Sequence, residues 1–186
     1  MSGGVKLFLY VITHPAVAMR SIKQISKCSN LLKESFYSTT PFRFGSGNRV
    51  VKYAVLPQQK IESVFPKNPA ENFLQTRLAD DLAASDFYFD FMVQFQEVPE
   101  AMPIEDPTVE WKSTFIKLAT IKIPKQNFLS QKQNEYVESL SFTPWHCIKD
   151  HEPIGGVNRA RKAVYIALSQ FRHKLNGIQE TEGNKN

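Results

Sequence analysis

The 186-residue sequence predicts an α+β fold, an antiparallel sheet flanked by helices, and three stretches carry that prediction. Phe87 to Val98 (FYFDFMVQFQEV) alternates strictly between two sets of side chains, as a half-buried strand does. Phe36 to Pro57 (FYSTTPFRFGSGNRVVKYAVLP) holds two alternating runs around Gly45-Ser46-Gly47-Asn48, the pattern of a hairpin. Asn158 to Gly177 (NRARKAVYIALSQFRHKLNG) has helical periodicity with both ends marked.

A hydrophobic content of 42% over this length is enough for one globular domain with a core. The net charge of +5 and the pI near 9.2 are mildly basic, and the charge is uneven. Before Tyr53 the only acidic residue is Glu34, against Lys6, Arg20, Lys23, Lys27, Lys33, Arg43, Arg49 and Lys52. Such a segment suits phosphate, an anionic lipid surface, propionates or an acidic partner chain, and a solvated basic face is the plain alternative. Basic and aromatic residues do not interleave on one surface, so no nucleic-acid partner is expected. No apolar run approaches the roughly 20 residues that span a bilayer, so no transmembrane segment is expected. Cys28 and Cys147 make neither a metal spacing nor a disulfide framework, which fits a reducing compartment and a cytoplasmic location.

Residues 1–35 read as an N-terminal helical segment. Val5 to Ile12 (VKLFLYVI) mimics a short signal-peptide core that His14 and Pro15 interrupt, and a mitochondrial-type presequence is a second reading. The preferred reading is a helix or helix pair from Val5 to Leu32 that Pro15 breaks or kinks. In the hairpin, Phe42 and Phe44 alternate with Arg43, and Val51, Tyr53 and Val55 alternate with Lys52 and Ala54. Gly45 and Gly47 are turn glycines, because a phosphate loop needs a strand–loop–helix context and a following Lys-Ser/Thr pair.

Gln58 to Pro69 leads to a helix at Glu71 to Ala84, capped by Asn72 or an earlier residue, with Phe73, Leu74, Leu78 and Leu82 inward. Asp80 and Asp81 point about 100° apart and are expected in solvent. In the next strand Phe87, Phe89, Phe91, Val93 and Phe95 share one face, which either fills a core or lines an apolar pocket for a planar ligand. Pro99 to Trp111 is a Pro-rich crossing, Phe115 to Ile123 a second strand ended by Pro124, and Gln131 to Leu140 helix or turn. Ser141 to Pro153 is an irregular surface segment whose His146, Cys147 and His151 match no zinc spacing. Residues 178–186 form a polar tail, expected to be disordered.

The last helix carries the candidate site. Gly155 and Gly156 break the chain before it, Asn158 caps it, His173 and Lys174 suit its negative end, and Asn176-Gly177 offers a left-handed stop. Arg161, Tyr165, Leu168 and Arg172 fall at i, i+4, i+7 and i+11 and so share one stripe. Ala160, Val164, Ala167, Phe171 and Leu175 form an adjoining apolar stripe. Fixed positive charge favours a phenolate over a phenol, and a phenolate is an anionic ligand for ferric iron, with the outer Arg left for a carboxylate. A surface helix with a half-buried tyrosine and two solvated arginines has the same spacing.

Three phrases add a resemblance: FYSTTPFRFG…VVKYAVLP at Phe36 to Pro57, EDPTVEW…FIKLATIKIP at Glu105 to Pro124, and LSFTPWH…HEPIGGVNRARKAVY at Leu140 to Tyr165. Together they resemble the haem catalase superfamily, and are closest to its bacterial catalase-like proteins, across residues 36–177. The resemblance implies an antiparallel barrel around a haem, with helices outside, of which about four strands here would be the C-terminal half. Tyrosine ligation of haem iron is the known catalase arrangement, and Tyr165 matches that axial ligand. Arg161 matches the residue that holds the ligand as phenolate, and Arg172 the residue that pairs with a haem propionate.

There are departures. Classical catalases carry an acidic residue two positions after the ligand, where this chain has Ala167, and a His in the run that here reads Thr39-Thr40-Pro41. The second difference implies that Arg161 is supported differently. The family's distal His and Asn lie in the N-terminal half of a full-length chain, and this sequence is expected to start after that half. His14 has no matching context, so no catalytic residue is assigned.

The function implied is a catalase- or peroxidase-type oxidoreductase acting on hydrogen peroxide or organic hydroperoxides. A non-catalytic haem-binding or structural fragment is the second expectation, and a fatty-acid hydroperoxide-transforming enzyme of the same fold the third. Half a barrel leaves an unpaired edge and an exposed lining on the Phe87 to Phe95 face, so a partner chain or self-association is expected to cover it.

Overall fold

The computed structural model describes residues 27–178 together with Thr13. The expected N-terminal helix therefore falls mostly outside the described residues, as does the tail beyond Ile178. What is described before the sheet is a single 3-10 turn, Leu31–Lys33, whose N-cap Asn30 accepts from the Leu32 backbone N–H.

Five antiparallel strands follow: β1 (Phe36–Tyr37), β2 (Phe42–Arg43), β3 (Val50–Pro57), β4 (Phe87–Phe95) and β5 (Phe115–Ile123). Among residues 27–178 three helices accompany them: α1 (Phe73–Ala84), α2 (Gln131–Ser139) and α3 (Gly156–Leu175). The sheet runs β1-β3-β4-β5, with β2 also paired to β3. The expected hairpin is present, with Phe42 opposite Val51, and Gly45 at φ +76° makes its turn. Its first arm is split, however: β1 and β2 both pair with β3 and are separated by Ser38–Pro41.

The strict alternation of β4 places Phe87, Phe89, Phe91, Val93 and Phe95 on one face, shared with Val51, Tyr53 and Val55 of β3. Phe87 and Phe89 are buried beneath Leu82 of α1 and beside Leu32, with Val55, Ile61, Leu78, Ile123 and Phe128 packed around them. Phe91 stacks on Tyr53 and Phe95 meets Phe44 edge-on. The expectation that this face forms an exposed lining is corrected: α1 covers one end and aromatic partners from the hairpin cover the other. The Pro-rich crossing packs on the opposite face, where Gln94 Nε2 donates to the carbonyls of Trp111 and Ser113 and Lys52 Nζ sits 4.6 Å from the Trp111 ring centre.

Exposure falls instead on β5. Among the described residues it pairs with β4 alone, so the sheet is open and no barrel closes. Ile116, Leu118 and Ile121 are exposed, and Leu118 is an extra residue at a bulge opposite Phe91 and Met92. Asp81 is a further correction. It is half-buried, not solvated, because Asn30 Nδ2 donates to it at 2.7 Å and Arg77 pairs with it at 3.3 Å.

Across the outer face of β4 and β5, Lys117 pairs with Asp90 at 2.6 Å and Lys122 with Asp86 at 2.7 Å. The lysine hydrogen bonds, with the Lys125 backbone N–H at Asp86 and Gln58 at Asp90, hold both carboxyls below their ordinary value of 3.8. A depressed carboxyl contributes stability above its unfolded value, and that contribution is lost as pH falls through the folded value. The D86N/D90N double variant should therefore lose less stability than the parent on acidification below about pH 4, read from urea midpoints at stepped pH. Parallel acid profiles for the two proteins would rule this out.

Candidate functional site

α3 begins where two glycines let the chain come close to the Pro-rich crossing. Gly155 has φ +92°, and a Cβ there would lie 2.9 Å from Ile104 Cγ2. Gly156 N–H donates to Glu105 Oε2 at 2.7 Å, so a carboxylate from a distant segment sits at the positive end of the helix. Asn158 is therefore not the cap. It lies within the first turn, 1% exposed, and its amide donates to the Pro41 and Ile154 carbonyls at 2.9 and 2.7 Å. The C-terminal expectation holds: Gly177 has φ +64°, and the Gly177 and Ile178 N–H groups return to the Lys174 and His173 carbonyls.

The inward stripe of α3 is polar. Asn158, Arg161, Tyr165, Ser169, Arg172 and His173 are buried or half-buried, while Val164 (55% exposed), Leu168 (61%), Phe171 (62%) and Leu175 (69%) point outward. Leu168 is thus corrected out of the Arg161–Tyr165–Arg172 stripe. The apolar stripe, read alone, would be taken for the core face.

Each inward polar group has a specific neighbour. Arg161 Nη2 donates to Tyr165 Oη at 3.1 Å, and its guanidinium carbon lies 5.5 Å from the Tyr165 ring centre. Arg161 Nη1 donates to Thr40 Oγ1 at 2.7 Å and to Asn158 Oδ1 at 3.3 Å. Two turns on, Arg172 Nη2 donates to the Leu140 carbonyl, and Arg172 Nε is buried without a hydrogen-bond partner. Ser141 and Ser169 hydroxyls are 2.5 Å apart, and Ser141 Oγ lies 3.5 Å from His173 Nε2, which ties the Leu140–Ser141 segment to the helix.

The structure thus joins Arg161 and Tyr165 directly and places Arg172 on the same inward face. Three residues at the site escaped the sequence reading. Thr40 was visible only within a run that departs from the family pattern, Asn158 was read as a cap, and His173 only as a cation at the helix end, whereas it is buried. Polar residues at 158, 161, 165, 169 and 172 share one helical phase, and that was the available signal. A cleft of about 360 Å³ lies behind Ser38 and Thr39, lined by Lys52, Tyr53 and Trp111, but Tyr165 is not among its walls. Burial there pushes Lys52 down and Tyr53 up from their ordinary values.

His151 belongs to the wrapping segment, its ring edge-on to Phe44, and its Nδ1 is buried without a partner. Among the described residues, no group of three His, Cys, Asp or Glu side chains is placed to hold a metal ion. Among the described residues no helix is long and apolar enough to cross a membrane.

No protein-family model matches the sequence, and no curated protein matches it. Solved structures do match. A fungal catalase crystal structure aligns with a TM-score of 0.65 at 17% identity, covering 85% of this chain and 38% of its own. Catalase A from Saccharomyces cerevisiae aligns with a TM-score of 0.64 at 17% identity, covering 84% of this chain and 39% of its own. The chain therefore spans about two fifths of the length of these catalases, and over that span it has the catalase fold.

Proposed function

We propose that α3 presents the proximal wall of a haem site in a catalase-like, peroxide-handling protein, with Tyr165 as the iron ligand. One observation carries the reading. The Tyr165 oxygen accepts from a guanidinium that is itself fixed on two further acceptors. A hydrogen bond from a fixed cation is stronger to a phenolate than to a phenol, so the pair is built to present an anionic oxygen. That donor chemistry fits ferric haem. Arg172 fits as well, because its buried, unpartnered Nε lacks an acceptor that a propionate carboxylate would supply. The catalase fold supports the same placement.

In this reading Tyr165 binds the iron, Arg161 keeps its oxygen negative, and Arg172 orients the porphyrin edge. Bound haem would supply the redox chemistry on hydrogen peroxide or an organic hydroperoxide. The second reading is haem binding without turnover, and it is supported by the span, since the chain aligns with only 38% and 39% of the two catalases. Haemin titration of the purified chain decides the first point: a saturable tyrosinate-type spectrum is expected, and haemin that stays in its free form counts against the proposal. An oxygen electrode then separates the two readings. Oxygen release above free haemin at equal concentration marks an enzyme, and release equal to free haemin marks a binding protein. A fatty-acid hydroperoxide would call for an apolar pocket on the phenylalanine face of β4, but Phe87 and Phe89 of that face pack beneath α1. A partner chain or a second copy is proposed to cover the β5 edge, which among the described residues pairs with β4 alone.

A further inference from the structure

We infer that Thr40 and Asn158 are positioning residues that hold Arg161 in the one orientation from which Nη2 reaches the Tyr165 oxygen. The consequence for a bound haem rests on the proposed function, whereas the geometry stands without it. A guanidinium is a planar fork on a long, flexible stem, so fixing one arm aims the other. Here the Nη1 arm is fixed twice, by Thr40 Oγ1 at 2.7 Å and Asn158 Oδ1 at 3.3 Å, and Nη2 is left for the phenol at 3.1 Å.

Both acceptors are themselves immobile. Thr40 is 3% exposed, and its hydroxyl and backbone N–H both return to the Ser38 carbonyl, at 3.3 and 2.6 Å. The turn that presents it contains Thr39 at φ +60°, a conformation that β-branched residues rarely adopt. Such strain persists only where the surroundings hold it, and here the Ser38 hydroxyl accepts from the Tyr53 N–H of β3 while the Tyr53 carbonyl accepts from the Ser38 N–H. Asn158 spends both amide hydrogens on the Pro41 and Ile154 carbonyls, so its amide cannot flip and Oδ1 must face Arg161. One buried, satisfied network thus joins the β1–β2 link, the segment before α3 and the first turn of α3.

The chemistry of the acceptors matters too. A carboxylate at either position would neutralise the guanidinium. A hydroxyl and an amide orient it and leave its charge for the phenol. The Thr40 hydroxyl and the Asn158 amide are thus the support that Arg161 has here.

The test compares Thr40→Val, which removes the hydroxyl at nearly constant volume, with Thr40→Ser, which restores it. In the haem-free chain the readout is the Arg161 guanidinium N–H resonances, assigned by their loss in Arg161→Lys. In the haemin-loaded chain it is the dissociation constant and the tyrosinate band. Thr40→Val should lose the resolved Arg161 resonances and weaken haemin binding about 10- to 100-fold, the range for residues that hold a metal ligand in place through a hydrogen bond. Thr40→Ser should recover both. Parental resonances and affinity in Thr40→Val, or failure of Thr40→Ser to recover them, would overturn the inference. Should Thr40→Val not fold, Thr40→Ala carries the same expectations without the β-branch in the turn. If Tyr165→Phe leaves haemin binding unchanged, the haem reading falls by itself, and the Arg161 resonances still decide whether Thr40 positions the arginine.

Discussion

Tyr165→Phe is expected to abolish the tyrosinate-type haem spectrum and to weaken haemin binding by more than about 100-fold, beyond what loss of a residue that only supports the ligand costs. The substitution removes one oxygen and keeps the ring that lies against the Arg161 guanidinium. The fold should therefore survive, since the side chain is half-buried and its hydrogen bond is to a cation with two other acceptors. Circular dichroism and the urea midpoint should stay close to the parent while the spectrum changes. An unchanged spectrum and affinity would remove Tyr165 as the ligand and the proposed function with it.

The largest stability effect is expected at Phe89. It is 4% exposed and packs among Leu32, Leu82 and Phe87, at the point where β4, α1 and the N-terminal turn meet. Phe89→Ala removes a buried ring and leaves a cavity that three elements cannot all close around. Phe→Ala changes at such sites cost about 3–5 kcal/mol, against a typical total of about 5–15 kcal/mol. Urea unfolding should show a midpoint far below the parent. The control is Phe142→Ala, at a residue 67% exposed, where the expected change is within about 0.5 kcal/mol. Equal midpoints for the two variants would contradict the placement of the core beneath α1.

Some of this was legible in the sequence because it is local. The two-residue alternation of Phe87 to Phe95 needs nothing beyond its own chain to be recognised as a strand, and β4 occupies Phe87–Phe95. The turn at Gly45 and the helix stop at Gly177 are backbone requirements that glycine meets without a Cβ, and both have positive φ. The four-residue spacing of Arg161 and Tyr165 guarantees that they are neighbours on any helix. Where the reading went astray, a local pattern was asked a non-local question. Asn158 resembles a cap by type, but Glu105, far away in sequence, reaches the helix start first. Asp81 resembles a solvated helix acid until Asn30 is brought against it.

The sequence by itself determined the strands, the hairpin, the helix limits near Gly177, and an arginine one turn before a tyrosine. Folding alone sets which stripe of α3 turns inward, that Thr40 anchors Arg161 across 121 positions, and that β5 is an open edge among the described residues. The physical reason is that periodicity specifies which side chains share a face. What that face meets depends on segments brought together by folding. On α3 those segments bring carbonyls and hydroxyls, so it is the polar stripe that is buried.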